Sequence, residues 1–386
     1  MAEDAKGLKI CVASDFDFKI SGYFNIATAC AKGLSERGHE VKCVGLGYKG
    51  EEHFFPFGII PAGNAQEVFA VITNLYSLWK FDVLVVAMDI PVQEMFLNFI
   101  KQNNLELKYI GIMPVEADPL CMSWALLLMQ MNKALIISEF GTEEARKMGV
   151  EAEHLPVGID MESWRSPLPE EREALRKALG FGDDFIVLTV GYNQERKFLS
   201  RSMEIFAEFA KEVPNSKYVL VTAEHSPVGW KLRDLAQELG IADKLVIFEK
   251  GIEHKRLWGI YAASDCFLLT SKAEGLGMIF MEAMAVGLPC IGTDCTGIHE
   301  LLGDGRGYLI PYDYTIRDPF GNGRRYYAGI SDGANILLGL YRDRDEQPEF
   351  ITSLKNAKEY IASRTWDKAV DVLENTIKEV VDAKTE

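Results

Sequence analysis

Residues 266–292 read CFLLTSKAEGLGMIFMEAMAVGLPCIG. The stretch opens on an unbroken apolar run, Cys266–Thr270, turns through glycines, and closes on a second apolar run, Pro289–Gly292. Between them nearly every side chain from Leu276 to Leu288 is apolar. Strand, helix and strand in so short a span, with continuously apolar strands, describe a parallel sheet covered by helices on both faces. Two carboxylates interrupt the pattern. Glu274 stands before the Gly275-Leu276-Gly277 turn, and Glu282 lies within the helix, where no Lys or Arg is placed three or four residues away to pair with it. A buried carboxylate needs a partner, so Glu282 requires one from elsewhere in the fold or from a ligand; a pair of ribose hydroxyls suits its two oxygens.

The same alternation extends outward in both directions. In the first half, strands are expected at Lys9–Ala13, Glu40–Val44, Val83–Met88, Lys108–Met113, Ala134–Ser138 and Ala152–Pro156, with helices such as Tyr23–Glu36 and Gln66–Trp79 between them. The pattern restarts at Phe185–Gly191 and continues through Tyr218–Thr222, Lys244–Phe248, Cys266–Thr270, Pro289–Gly292 and Gly307–Ile310. Two runs of this kind mean an α/β chain of two doubly wound, Rossmann-like domains. The turn-rich GIDMESWRSPLPEE, Gly158–Glu171, marks the boundary. The expected division is 1–165, 166–365, and a C-terminal helix at 366–386 that packs back across the boundary.

Length and composition fit this division. A chain of 386 residues exceeds one ordinary core, and 48% apolar with 25% charged residues is a globular balance. The formal net charge of −16 argues against nucleic acid as a partner. Seven cysteines without a Cys-x-x-Cys, several of them in apolar runs, indicate buried thiols, a reducing cytoplasm and neither a disulfide framework nor a zinc site. The polar start MAEDAKG does not resemble a secretory signal, and no transmembrane segment is expected; contact with a membrane surface is left open.

Ligands bind such sheets at the carboxyl ends of the strands, so the loops there carry the chemistry. The turn at Gly275–Gly277 allows a close backbone approach, and the following helix start offers unpaired amides to an anion. The dinucleotide fingerprint fails at Phe280, which argues against NAD. A glycosidase pair fits poorly as well. Eight residues of helix span ~12 Å, whereas hydrolytic carboxyl pairs stand about 5 to 9.5 Å apart. After the strand at Phe185–Gly191 comes GYNQERKF, where Arg196 and Lys197 form a basic pair near the carboxyl edge. Asp15 and Asp17 follow the first strand, but no set of residues with ligand spacing calls for a metal. The aromatic HFFPFG, His53–Gly58, reads as core, with stacking on a flat acceptor as the other option; YDYTIRDPFGNGRRYY, Tyr312–Tyr327, reads as a loop.

The stretch YAASDCFLLTSKAEGLGMIFMEAMAVGLPCIGTDCTGIHEL, Tyr261–Leu301, resembles the E-x7-E region of the retaining glycosyltransferases of family 4, with Glu274 and Glu282 in the glutamate positions. SERGHEV at Ser35–Val41, LPVGID at Leu155–Asp160 and Trp366 at the last helix are similar to other family features, so the resemblance covers nearly the whole chain. It implies the GT-B fold, with the two domains facing across a cleft. It also implies metal-independent transfer of a sugar, with retention, from a nucleotide diphosphate sugar to an unidentified acceptor, and no cofactor. Glu274, Lys197 and Arg196 are then the catalytic candidates. Gly22, Lys250, Ile252, Gly275, Leu276, Gly277 and Glu282 are the donor-binding candidates, and Ser21, Glu116 and Asp118 lie on the acceptor side.

This sequence departs from the family pattern in places. Tyr192 stands where the family has an arginine, five residues before a lysine that Lys197 preserves, and Arg196 is expected to restore the missing charge. MPVEADP, Met113–Pro119, lacks the histidine many members carry. These departures keep two other readings open: a nucleotide- or small-molecule-binding protein with little or no turnover, and a phosphorylase or epimerase on the same fold.

Overall fold

A computed structural model describes residues 7–17, 22–343 and 348–383. The chain forms two compact units. In the first, apolar runs build β1 (Lys9–Asp15), β2 (Glu40–Leu46), β3 (Gly58–Ala62), β4 (Val83–Ala87), β5 (Tyr109–Met113), β6 (Lys133–Ile136) and β7 (Ala152–His154). They pair in the order β3-β2-β1-β4-β5-β6-β7, every pair parallel. The crossover helices are α1 (Gly22–Glu36), α2 (Ala65–Leu78), α3 (Ile90–Gln102), α4 (Met122–Leu128) and α5 (Glu139–Lys147). β4 and β5 are buried along their whole length, as strands covered on both faces must be.

The second unit contains α6 (Pro169–Leu179), β8 (Phe185–Val190), α7 (Leu199–Glu212), β9 (Ser216–Thr222), α8 (Leu232–Glu238), β10 (Leu245–Glu249), α9 (His254–Ala263), β11 (Cys266–Leu269) and α10 (Met278–Val286). It continues through β12 (Cys290–Thr293), α11 (Thr296–Leu302), β13 (Tyr308–Ile310), β14 (Tyr312–Arg317), β15 (Arg324–Ala328), α12 (Ile330–Asp343) and α13 (Pro348–Ala362). Its parallel sheet runs β10-β9-β8-β11-β12-β13, and β14 and β15 form a separate antiparallel pair. The winding direction reverses between β8 and β11, so the loops after these two strands flank a topological switch point. The last helix, α14 (Trp366–Asp382), belongs to the first unit. It buries Ala369, Val370, Leu373 and Ile377, lies against α1, and is tied to it by Arg37, which pairs with Glu374 at 2.7 Å and Asp371 at 2.6 Å.

The division differs from the expected one in three places. The first unit ends at Gly158 rather than residue 165, its C-terminal part starts at Arg364, and Glu116–Pro119 groups with the second unit. Elements also escaped the sequence reading. β3 carries Pro61 and lies at the sheet edge, where a missing amide is tolerated. Tyr312–Tyr327 is a hairpin and not a loop; β14 is exposed throughout, so no apolar alternation reveals it. In His53–Gly58, Phe57 is buried beneath stacked Phe55 and His53, whereas Phe54 is fully exposed. Among the described residues no helix is long and apolar enough to cross a membrane.

Candidate functional site

The loops after β8 and β11 meet at the switch point of the second unit, and a dense ionic corner forms there. After β8 the chain makes a 3-10 turn, Glu195–Lys197, that directs two cations at the β11 loop. Lys197 Nζ lies 2.6 Å from Glu274 Oε1, and Arg196 Nη1 lies 2.9 Å from Glu274 Oε2. Arg196 also donates to the Ala273 carbonyl, and Ser271 Oγ donates to Glu274 Oε1 at 2.6 Å. Burial disfavours the Glu274 charge, but Arg196 and Lys197 outweigh it and hold the carboxyl down to about 2. Lys197 is pulled below its ordinary value by burial, with Glu274 opposing.

The backbone of this carboxylate is fixed from the start of α11, the helix after β12. Thr296 Oγ1 accepts the Glu274 amide at 2.9 Å, and the Gly297 amide donates to the Glu274 carbonyl. The turn then enters α10 through Gly277, whose φ of 95° is readily adopted only by glycine. The Phe280 amide of α10 turns back to the Gly277 carbonyl, and the other first-turn amides are the donors that a helix start leaves without an intrahelical acceptor.

Glu282 meets a different environment on α10. Its carboxylate is buried, and among the described residues its hydrogen-bond partner is the Tyr261 hydroxyl, 2.9 Å from Oε2. Tyr261 is itself held: it stacks on Phe267, and Trp164 packs edge-on against it. Burial raises the Glu282 carboxyl to about 7, and the Tyr261 bond only partly opposes it. Among the described residues no lysine or arginine forms an ion pair with Glu282.

The remaining candidates fall as follows. Glu116 Oε2 lies 3.2 Å from Arg196, and its Oε1 lies 3.2 Å from Arg325, which also reaches Asp318 at 3.3 Å. Asp118 accepts from the Tyr326 hydroxyl, and the Arg324 amide donates to its carbonyl. Both acidic residues thus join the hairpin of the second unit. Arg196, expected to replace the charge missing at Tyr192, is engaged by Glu116 and Glu274. Gly275 and Leu276 are buried in the turn. Lys250 and Ile252 follow β10, and Lys250 Nζ sits 4.5 Å above the Tyr192 ring. Gly22 is an exposed first residue of α1; Ser21 lies outside the described residues. Asp15 Oδ1 accepts the Asp17 amide, and among the described residues no cluster of three metal-type side chains occurs.

Sequence reading missed Tyr261, Ser271, Thr296 and Arg325. Ser271 sits in the loop after β11, and Thr296 is the first residue of α11 just after β12, positions at the carboxyl edge that could have marked them. Tyr261 and Arg325 meet their partners only through the tertiary fold.

Comparison with known proteins matches residues 171–315 to the family described as Glycosyl transferases group 1. The GDP-mannose-dependent alpha-(1-6)-phosphatidylinositol monomannoside mannosyltransferase of Mycolicibacterium smegmatis is 29% identical over 161 residues, which are 40% of this chain. The match spans 41% of that relative's length, less than half. Among solved structures, the sucrose-phosphate synthase of Thermosynechococcus elongatus superimposes with a TM-score of 0.76 at 16% identity, covering 98% of this chain and 100% of that one. Anabaena HepE, solved in complex with UDP-glucose, gives 0.74 at 15% identity, covering 96% and 100%. At such identities the structural likeness establishes the fold. The family match is confined to residues 171–315, and the fold of the whole chain is that of the GT-B structures on which it superimposes.

Proposed function

We propose that the protein transfers a glycosyl group from a nucleotide diphosphate sugar to an acceptor, with retention at the anomeric carbon and without a metal. The observation that carries this reading is the pair of buried carboxylates on one loop and helix, Glu274 held ionised by Lys197 and Arg196, and Glu282 with a neutral tyrosine beside it. In this reading the Glu282 carboxylate accepts the ribose hydroxyls, the Gly275–Gly277 turn and the α10 amides receive the diphosphate, and Glu274 borders the donor sugar. Charge grows on the leaving diphosphate as the glycosidic bond breaks. Lys197 and Arg196 stabilise that charge more in the transition state than in the ground state, and this difference is what accelerates transfer. The mannosyltransferase relative is named for a GDP-linked donor and HepE was solved with a UDP-linked one, which supports the donor class and leaves the base to experiment.

A thermal-shift screen of UDP, GDP, ADP and their sugars, followed by product analysis with candidate acceptors, tests the reading. Stabilisation by one nucleotide family together with transfer supports it; no stabilisation by any of them defeats it. The mutual neutralisation of Arg196, Lys197, Glu274 and Glu116 favours one alternative, a nucleotide-binding protein with little turnover. Binding without transfer or donor hydrolysis identifies that case.

A further inference from the structure

The ionic corner does not carry surplus positive charge. Lys197, Arg196 and Arg325 face Glu274, Glu116 and Asp318, three cations against three carboxylates, all within 3.3 Å of a partner. Lys272, on the same loop as Glu274, is paired with Glu195. A diphosphate approaching this edge therefore meets cations whose charge is already offset by carboxylates, so a nearby cation without an ion pair would add most to its initial binding.

Lys250 meets the requirement. It is exposed, directly follows β10, and its amide is pinned to the Thr222 carbonyl at the end of β9. Its ammonium rests 4.5 Å over the ring of Tyr192, the second residue after β8. Strands β10, β9 and β8 are adjacent and parallel, so both residues stand at the carboxyl edge that also carries Arg196 and Lys197. Among the described residues Lys250 forms no ion pair. A ring face holds an exposed ammonium weakly, whereas a phosphate oxygen forms a charge-assisted hydrogen bond with it.

We infer that Lys250 is the cation that binds the diphosphate of the donor, and that Tyr192 is its seat, so that a lysine from the β10 loop supplies the charge missing at position 192. The inference rests on the nucleotide-sugar reading and deepens it. Tyr192 holds the long side chain near the edge, and the ammonium moves from ring to phosphate when the diphosphate arrives.

The test measures binding of UDP, GDP and ADP to the full chain by calorimetry, with the corresponding monophosphates as controls. For whichever diphosphate binds, Lys250→Ala is expected to weaken binding roughly tenfold, the loss of one hydrogen bond to a charged group. The monophosphate should lose less. Tyr192→Arg in the Lys250→Ala background should recover most of the affinity by placing a guanidinium after β8. Both side chains are at the surface, so the variants keep the fold, and a thermal melt without ligand verifies it. Wild-type-like diphosphate binding by Lys250→Ala, or an equal loss for mono- and diphosphate, overturns the inference and leaves the nucleotide reading standing. Failure of the unaltered chain to bind any of the three overturns both.

Discussion

Glu274 and Glu282 are eight positions apart in sequence, are both buried, and have opposite electrostatics. Glu274 sits where two sheet loops deliver cations, and its carboxyl is held down to about 2. Glu282 sits on an apolar helix with a tyrosine for company, and its carboxyl is raised to about 7. The difference lies in the supply of partners, since burial disfavours both charges. One carboxylate is built into the structure; the other is kept under-satisfied, a cost to folding that a ligand with hydroxyl donors can offset.

The largest expected effect comes from the Glu274 side. Lys197→Ala and Glu274→Ala should each lower transfer by about a thousandfold or more. Each also leaves a buried charge short of a partner, at about 3 kcal/mol. The double variant Lys197→Met/Glu274→Gln removes both charges and should recover stability while transfer stays lost. Denaturant midpoints alongside rates check this, and recovery of both together would break the contrast.

Glu282→Gln should act in the opposite direction on stability. In the wild type the unfolded glutamate ionises near 4.5 while the folded one holds its proton to about 7, so stability falls as pH rises between those values. Glutamine removes that slope. The variant should gain up to about 3 kcal/mol at pH 8 and little at pH 5, while nucleotide binding weakens. Chemical denaturation at the two pH values measures it, and equal gains at both would contradict the raised carboxyl.

Smaller effects sharpen the comparison. Tyr261→Phe deletes the bond that partly lowers the Glu282 carboxyl, so the pH at which nucleotide affinity increases should move upward, at about 1–2 kcal/mol of stability. A binding titration from pH 6 to 9 detects the move. Ser271→Ala removes one hydrogen bond to an already doubly paired Glu274 and should cost about 1 kcal/mol, with transfer reduced only a few-fold. A large loss of transfer would mean that Ser271 does more than hold Glu274 in place.

Sequence alone carried much of this. The apolar strands, their alternation with helices and the two glutamates were legible because they depend on local periodicity and on residues the helix itself cannot pair. Strand ends differed by a residue or two, as at β1 and β2. The exposed hairpin and the edge strand β3 lacked the patterning that betrays buried strands. The neutralisation of Arg196 and Lys197 was not legible. It joins residues 77 or more positions apart, and one carboxylate, Glu116, reaches the second unit from the segment after β5.

Gly158 marks where the chain leaves the first unit, and it lies against the point of return. A β-carbon there would stand 2.3 Å from the Trp366 nitrogen and 2.5 Å from the Thr365 carbonyl carbon, so any larger residue would force the two passing segments apart. Residues 159–363, the second unit apart from Glu116–Pro119, are thus an inserted segment whose two ends are neighbours at this point of the first unit. A host built from the flanking segments could be closed by a short linker and expressed alone, and the inserted segment could be exchanged for that of another chain whose ends meet in the same way.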